Sequence, residues 1–226
     1  MIVTIDGYAG SGKSAVAKEL AARLGFSLLN TGAMYRAVGF ALHRAGIDAF
    51  AGVRDAERIT DLLADFTFAM PGHRILLNGE DLTAVLFTEA MGRAASKVAT
   101  FPEVRAKLKA EQRRIVDDGD YICEGRDQGT AVFPDAPAKF FLRASAEVRA
   151  ERRVAQLLQN GQPADYKTIL VDIRFRDRQD ETRSIDPLAK AGDAVEIDTS
   201  HLTLAEVVQR LWDVVQQRRS TASPAG

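Results

Sequence analysis

The chain carries a single cysteine, Cys123, among its 226 residues. One thiol excludes an internal disulfide and any thiolate zinc cluster built within the chain. Cys123 follows Tyr121 and Ile122 in an apolar run, where a buried, inert thiol is expected. An excess of charge of either sign is also missing. Lys and Arg number 30 against 31 Asp and Glu, so no overall basic footprint points to nucleic acid or to a lipid surface. No apolar stretch approaches the ~20 residues that cross a bilayer, and the start of the chain has no basic segment followed by a long apolar core. A reducing cytoplasm fits these features and is the expected location. His43, His73 and His201 are scattered without metal-ligand spacing and read as structural or exposed.

The 46% of hydrophobic residues suffices for one sizeable core. Short β-branched or apolar runs at 2–5, 26–29, 121–123, 139–142 and 194–197 read as buried strands. Between them the period lengthens. Val16, Leu20 and Leu24 share one helical face that stops at Gly25. A helix is expected over 34–44 after a turn at Thr31-Gly32, and a long helical segment from Ala146, broken near 160–163, resumes at about Tyr166. Thr100-Phe101-Pro102-Glu103 and Thr203-Leu204-Ala205-Glu206 read as capping boxes. The segment 66–82 differs: Phe66, Phe68 and Met70 alternate, and Asn78-Gly79 is a hairpin signal because a type I′ turn needs positive φ at both central residues. A tail from Ser220 is expected to be disordered. Strands alternating with helices imply an α/β chain with a parallel sheet covered on both faces, whose ligands sit at the carboxyl ends of the strands.

Gly7-Tyr8-Ala9-Gly10-Ser11-Gly12-Lys13-Ser14 matches the phosphate-loop pattern in full and lies between a strand and a helix, as the mechanism requires. Backbone N–H groups converge on phosphate where a Cβ would obstruct, and the helix N-terminus adds positive charge. Lys13 is expected to reach the β and γ phosphates and Ser14 to supply a hydroxyl to Mg²⁺. The loop alone speaks of a nucleotide and says nothing of the acceptor.

Basic residues crowd into 143–183, which points to a local anion site. Arg36 follows the second strand, Arg126 follows the third between Gly125 and Asp127, and Arg176 and Arg183 flank Asp177, Arg178, Asp180 and Glu181. Guanidinium forks suit phosphate. Pattern alone favours a site role for Arg126 and divides evenly for Arg176 and Arg183, whose acidic neighbours offer simple pairing. Arg143, Arg149, Arg210 and Arg218 read as solvated surface residues.

The motifs Leu29-Asn30-Thr31-Gly32-Ala33-Met34-Tyr35-Arg36, Glu124-Gly125-Arg126-Asp127-Gln128-Gly129-Thr130 and Phe133-Pro134-Asp135-Ala136, with the run from Arg176 to Arg183, resemble those of bacterial cytidylate kinases. The likeness spans 1 to about 218. It implies a P-loop kinase fold: one domain with a five-stranded parallel sheet in the order 2-3-1-4-5, flanked by helices. It further implies a core of 1–30, 97–148 and 184–218, a small antiparallel β insert within a monophosphate-binding region at about 31–96, and a short mobile lid at about 149–165. The implied reaction is transfer of the γ-phosphate of ATP, with Mg²⁺, to CMP or dCMP. Residue by residue, Ser96, Arg105 and Asp127 match the positions that read cytosine. Thr31, Arg36, Arg126 and Arg183 match those around the acceptor phosphate, and Asp180 the one that binds its ribose. Arg176 matches an arginine at the transferring phosphate, while Arg152 and Arg153 fall in the lid over ATP. Lys13, Arg126, Arg176 and Arg183 thus form the expected catalytic set.

The sequence departs from the family at Tyr8 (usually proline), Ala15 (usually threonine), Asn30 (usually aspartate) and Gln128 (usually apolar). These touch none of the inferred cytosine or phosphate contacts. A shikimate-type kinase, another nucleoside monophosphate kinase and a nucleotide-binding module without turnover are the competing readings. A monomer is expected, since no long apolar stripe is left over.

Overall fold

A computed structural model describes residues 1–51, 54–72, 74–117 and 119–222. The readings made for His73 and for residues 223–226 of the tail fall outside this range. Contacts divide the chain into two compact units, Met1–Phe26 with Asp120–Gly226, and Ser27–Gly119.

In the first unit β1 (Ile2–Gly7) leads into the loop and then α1 (Lys13–Leu24), which buries Val16, Ala17, Leu20 and Ala21 and ends at Gly25 with φ 68°. In the second, β2 (Ser27–Asn30) passes directly into α2 (Thr31–Arg44). The turn expected at Thr31-Gly32 does not form. Asn30 caps α2 instead, its Oδ1 accepting from Ala33 N–H at 3.0 Å, as a short polar side chain at that position should. Two helices not foreseen, α3 (Ala56–Ala64) and α4 (Glu89–Val98), are capped by Asp55 and Thr88. Between them β3 (Phe68–Ala69), β4 (Leu76–Leu77) and β5 (Glu80–Asp81) form a separate antiparallel sheet. Its tight turn has Asn78 at φ 50° and Gly79 at φ 82°, as the Asn-Gly signal requires. α5 (Pro102–Ile115) is not opened by the expected capping box. Phe101 is its N-cap without a side-chain bond, and Thr100 Oγ1 donates back to Lys97 O at 2.8 Å. Pro102, with no N–H to satisfy, starts the helix in place of a cap. Glu111 of α5 accepts from Phe68 N–H at 3.2 Å, and Arg114 donates to Phe68 O at 2.7 Å, so α5 carries the small sheet.

The chain then returns to the first unit with β6 (Tyr121–Glu124), a π-turn at Gln128–Val132, β7 (Ala138–Arg143), α6 (Ala146–Gln159), α7 (Tyr166–Thr182), β8 (Val195–Asp198) and α8 (Leu204–Ala222). The main sheet has the order β2-β6-β1-β7-β8, which is 2-3-1-4-5 in the count of its own strands. β6, β1, β7 and β8 pair in parallel. Such strands are buried on both faces, and Val3, Ile5, Ile122, Cys123, Phe140 and Leu142 are at most 1% exposed. The box at Thr203 forms: Thr203 N–H donates to Glu206 Oε2 at 2.8 Å and Glu206 N–H to Thr203 Oγ1 at 3.3 Å. α8 runs on through Ser220, where a disordered tail was expected. A further surprise lies on α7, whose Val171 and Phe175, one turn apart, are 64% and 67% exposed.

Candidate active site

At its first residue the phosphate loop presses on backbone that leaves no room for a side chain. Gly7 has φ 141°, and a Cβ there would stand 1.9 Å from Leu142 O on β7. Ser11 N–H donates to Tyr8 O at 3.2 Å, and Lys13 Nζ donates to the same carbonyl at 2.6 Å. Burial, with the charge of Arg126 nearby, pulls the Lys13 ammonium well below its usual range, while Glu124 and Asp6 act the other way. A cation held dry among partial partners is suited to an anion that brings its own charge. The buried Ser11 Oγ has no hydrogen-bond partner among the described residues. Ser14 Oγ donates to Glu124 Oε1 at 2.9 Å. Burial raises the Glu124 carboxyl, opposed by Lys13 and the Ser14 bond.

Arg126 and Asp127 lie between β6 and the π-turn, opposite the end of α7. Arg126 Nε donates to Asp180 Oδ2 at 2.8 Å, and Arg183 Nη2 stands 3.7 Å from Asp127 Oδ1. Burial opposes the charge on Arg126, yet Asp180, Glu124 and Asp6 together hold its pKa above the ordinary value. Arg183 is further fixed because its Nε and Nη2 both donate to Asp186 O. Asp186 has φ 45°, a left-handed conformation that aspartate tolerates better than most residues. The carbonyl of Asp186, just ahead of Pro187, is thereby aimed at Arg183. Arg176 sits half-buried on α7.

Arg149 overturns its surface reading. It is 3% exposed; its guanidinium grips both oxygens of Asp177 at 2.9 and 2.6 Å, and donates to Ala9 O at 3.1 Å and Ala144 O at 2.9 Å. It also lies 5.1 Å from the centre of the Tyr8 ring. Tyr8 OH donates to Glu181 Oε1 at 2.7 Å. α6 and α7 are thereby fastened to the phosphate loop. Arg152 donates to Thr199 Oγ1 at 3.2 Å and to its carbonyl, and Thr199 Oγ1 in turn donates to Ser11 O at 3.0 Å. Arg153 donates to Gln156 Oε1 at 2.5 Å on the exposed side of α6. Residues 149–159 of the expected lid lie in the helix that the sequence indicated from Ala146. No sequence signal singled out Asp6, Thr199 or Asp186. Thr199 followed a predicted strand by two residues, the one cue available.

In the second unit Arg36 donates to Leu86 O at 3.1 Å and Thr88 O at 3.0 Å. Thr31, the first residue of α2, is buried, and Ser96 is half-buried on α4. Arg105 is 2% exposed, donates to Ala99 O at 3.4 Å and faces the Tyr35 ring at 5.8 Å. Arg105 and Tyr35 are thus brought together, which spacing in the sequence did not show.

The family model for cytidylate kinase matches residues 3–217. The chain is 42% identical to the cytidylate kinase of Pseudomonas putida, over 96% of each chain, and 44% identical to that of Nocardia farcinica, over 99% of this chain and 97% of the relative. The chain belongs to the cytidylate kinase family. A solved structure of an uncharacterized protein from Eubacterium ventriosum shares the fold, with a TM-score of 0.51 at 14% identity over 96% of this chain and 98% of that one. With cytidylate kinase as the frame, two departures from the family pattern, Tyr8 and Asn30, have side-chain partners, while Gln128 bonds through its backbone N–H as any residue there would. Tyr8 bridges to Glu181, Asn30 caps α2, and Gln128 N–H donates to Asp6 Oδ1 at 2.9 Å; nothing in the structure explains Ala15.

Proposed function

We propose that this chain transfers the γ-phosphate of ATP to CMP and dCMP, giving CDP and dCDP. One observation carries the reading furthest. A buried lysine with a lowered pKa stands beside a loop whose arginine and aspartate are matched, charge for charge, by an aspartate of α7 and the arginine that follows it.

The acceptor phosphate is ionised at neutral pH, so no strong base is needed. One of its oxygens forms the new bond to the γ-phosphorus, and the bond from that phosphorus to the bridging oxygen of ATP breaks, leaving ADP. Lys13 and the loop amides hold the phosphates of ATP, with Tyr8 in the loop and Ala15 in the first turn of α1 contributing backbone. Arg126, Arg176 and Arg183 neutralise the charge that spreads over the transferring group. Asp127 accepts from the exocyclic amine of cytosine and disfavours the carbonyl that uracil offers there. Asp180 is assigned to the ribose, Thr31 and Arg36 to the acceptor phosphate, Ser96 and Arg105 to the base, and Arg152 and Arg153 to ATP.

A serine hydroxyl beside a carboxylate is a hard-oxygen donor set of the kind Mg²⁺ takes alongside phosphate oxygens and water. Ser14, held by Glu124, would bind that ion, which supplies charge neutralisation at the β and γ phosphates. The buried free thiol of Cys123 suits a cytoplasmic location. Among the described residues no helix is long and apolar enough to cross a membrane. A monomer is proposed; sedimentation at micromolar concentration tests it, with Val171 and Phe175 the surface to mutate if a dimer is found.

ADP formation from Mg-ATP, measured across CMP, dCMP, UMP, AMP, GMP and shikimate, decides the reading. Strong turnover with CMP and dCMP and weak turnover with UMP is expected. Preference for another acceptor would remove the roles given to Ser96, Arg105 and Asp127. ATP binding without any turnover would favour a nucleotide-sensing module.

A further inference from the structure

Asp6, the last side chain of β1 before the phosphate loop, is 3% exposed, and the reaction described above makes no use of it. Its Oδ1 accepts from Gln128 N–H at 2.9 Å and its Oδ2 from Gly129 N–H at 2.7 Å. These two amides open the π-turn Gln128–Val132, where the first N–H groups of a helical turn find no partner inside it. A carboxylate fits this place for a specific reason. It presents an acceptor on each oxygen, whereas an asparagine of the same shape presents one acceptor and turns its NH₂ toward the other amide.

The seat is tight as well as bonded. A Cβ on Gly129 would stand 2.9 Å from Thr4 Oγ1, 3.3 Å from Lys139 Cδ and 3.5 Å from Asp6 Oδ2. The loop is pressed onto β1 at the point where Asp6 grips it. The two residues immediately before the gripped amides are Arg126 and Asp127. Burial pushes the Asp6 carboxyl up to about 7; the two amide bonds and Lys13 pull it down, and Asp127 adds to the rise. Keeping a carboxylate here costs stability, so its retention calls for a compensating role.

We propose that Asp6 is a positioning residue: by clamping the amides of Gln128 and Gly129 it sets the direction of Arg126 and Asp127, and through them both the rate of phosphoryl transfer and the choice of base. This rests on the acceptor-side roles proposed for Arg126 and Asp127. It differs from a structural role in what it predicts, since a misdirected Arg126 and Asp127 damage turnover and selectivity while the ATP side of the loop stays intact.

The test is Asp6→Asn, studied at pH 8, where the wild-type carboxyl is ionised. Without substrates, amide exchange at Gln128 and Gly129 should quicken about tenfold or more relative to the amides of Val3 and Ile5. With substrates, kcat for CMP should fall about 10- to 100-fold, the scale of an ångström-level misplacement. The CMP-over-UMP preference should narrow, and affinity for a fluorescent ATP analogue should stay within about twofold. Faster exchange with unchanged kcat and unchanged preference would overturn the proposal, and so would exchange that does not change. If Asp6→Asn fails to fold, Gly129→Ala lifts the same loop while keeping the carboxylate in the chain and should give the same loss; normal turnover and preference in it would overturn the proposal. If the wild-type protein does not phosphorylate CMP, the proposed function falls on its own. Unchanged exchange at the two amides would then still refute the clamp.

Discussion

Arg126 and Asp180 meet at 2.8 Å, and at the neighbouring residue of the loop the sense of the pairing reverses, Asp127 facing Arg183 at 3.7 Å. The loop after β6 and the end of α7 are thus joined by two ion pairs of opposite direction. Arg126 and Arg183, both assigned to phosphate, each have a carboxylate beside them already. An incoming phosphate meets cations in position, and the helix is aligned before it arrives.

Removing Arg126 should therefore have two separable effects. Arg126→Met leaves Asp180 charged and poorly solvated and should cost about 2–4 kcal/mol of stability. Adding Asp180→Asn should return part of that, because the uncompensated charge is gone. Turnover with CMP should fall by about three orders of magnitude in the single variant and stay there in the double, with ATP binding largely kept. Denaturant titration and steady-state kinetics on the same samples check both. A double variant with recovered turnover would remove Arg126 from the transition state.

Arg183→Ala should likewise cut turnover by orders of magnitude while ATP binding is retained. Asp127→Ala should act differently. It removes an acceptor for the amine of cytosine, so the CMP-over-UMP ratio of kcat/KM should fall about tenfold or more, a larger change than the loss in kcat. Competition between the two monophosphates in one reaction measures the ratio directly. An unchanged ratio would end the base-reading role.

Asp6 makes stability depend on pH in an unusual direction. Its carboxyl titrates at about 7 in the fold against 3.8 in a model peptide, so between these values the folded chain holds a proton that the unfolded chain releases. Stability from this group is fully present below about pH 4, declines as pH rises and is lost above 7, by at most roughly 4 kcal/mol. Asp127 and Lys13 face the group with opposite effects, and Asp6→Asn isolates it. The stability advantage of wild type over Asp6→Asn should be larger at pH 5 than at pH 8 by denaturant titration. An advantage that grows with pH would contradict the raised pKa.

Arg149 and Arg143 read alike in the sequence and should behave in opposite ways. Arg149→Met strands Asp177 and frees the carbonyls of Ala9 and Ala144, and should cost about 3–5 kcal/mol. Arg143 pairs with Glu196 and Asp198 from a side chain 54% exposed, and Arg143→Ala should cost no more than about 1 kcal/mol. Thermal unfolding of the two variants side by side separates them.

Local chemistry along the chain was enough to locate the phosphate loop, the five main strands to within a residue or two, the Asn78-Gly79 hairpin and the box at Thr203. Each rests on rules that act within a few residues: a period of burial, a positive φ, a cap. The same rules failed at Thr31 and Thr100, where a capping asparagine and an N-terminal proline took precedence over the pattern read there. The family motifs identified Arg126, Asp127, Asp180 and Arg183 but not how they are held. That Arg149 is buried and Arg143 is not, that Asp186 presents a carbonyl to Arg183, that Thr199 reaches Ser11, and that Asp6 grips Gln128 and Gly129 were decided by packing. Asp177 lies 28 residues from Arg149, Gln128 122 from Asp6 and Ser11 188 from Thr199. Periodicity reports which face of an element is buried; which charge meets which is settled only when β1, β6 and β7 bring their carboxyl ends together beside α7.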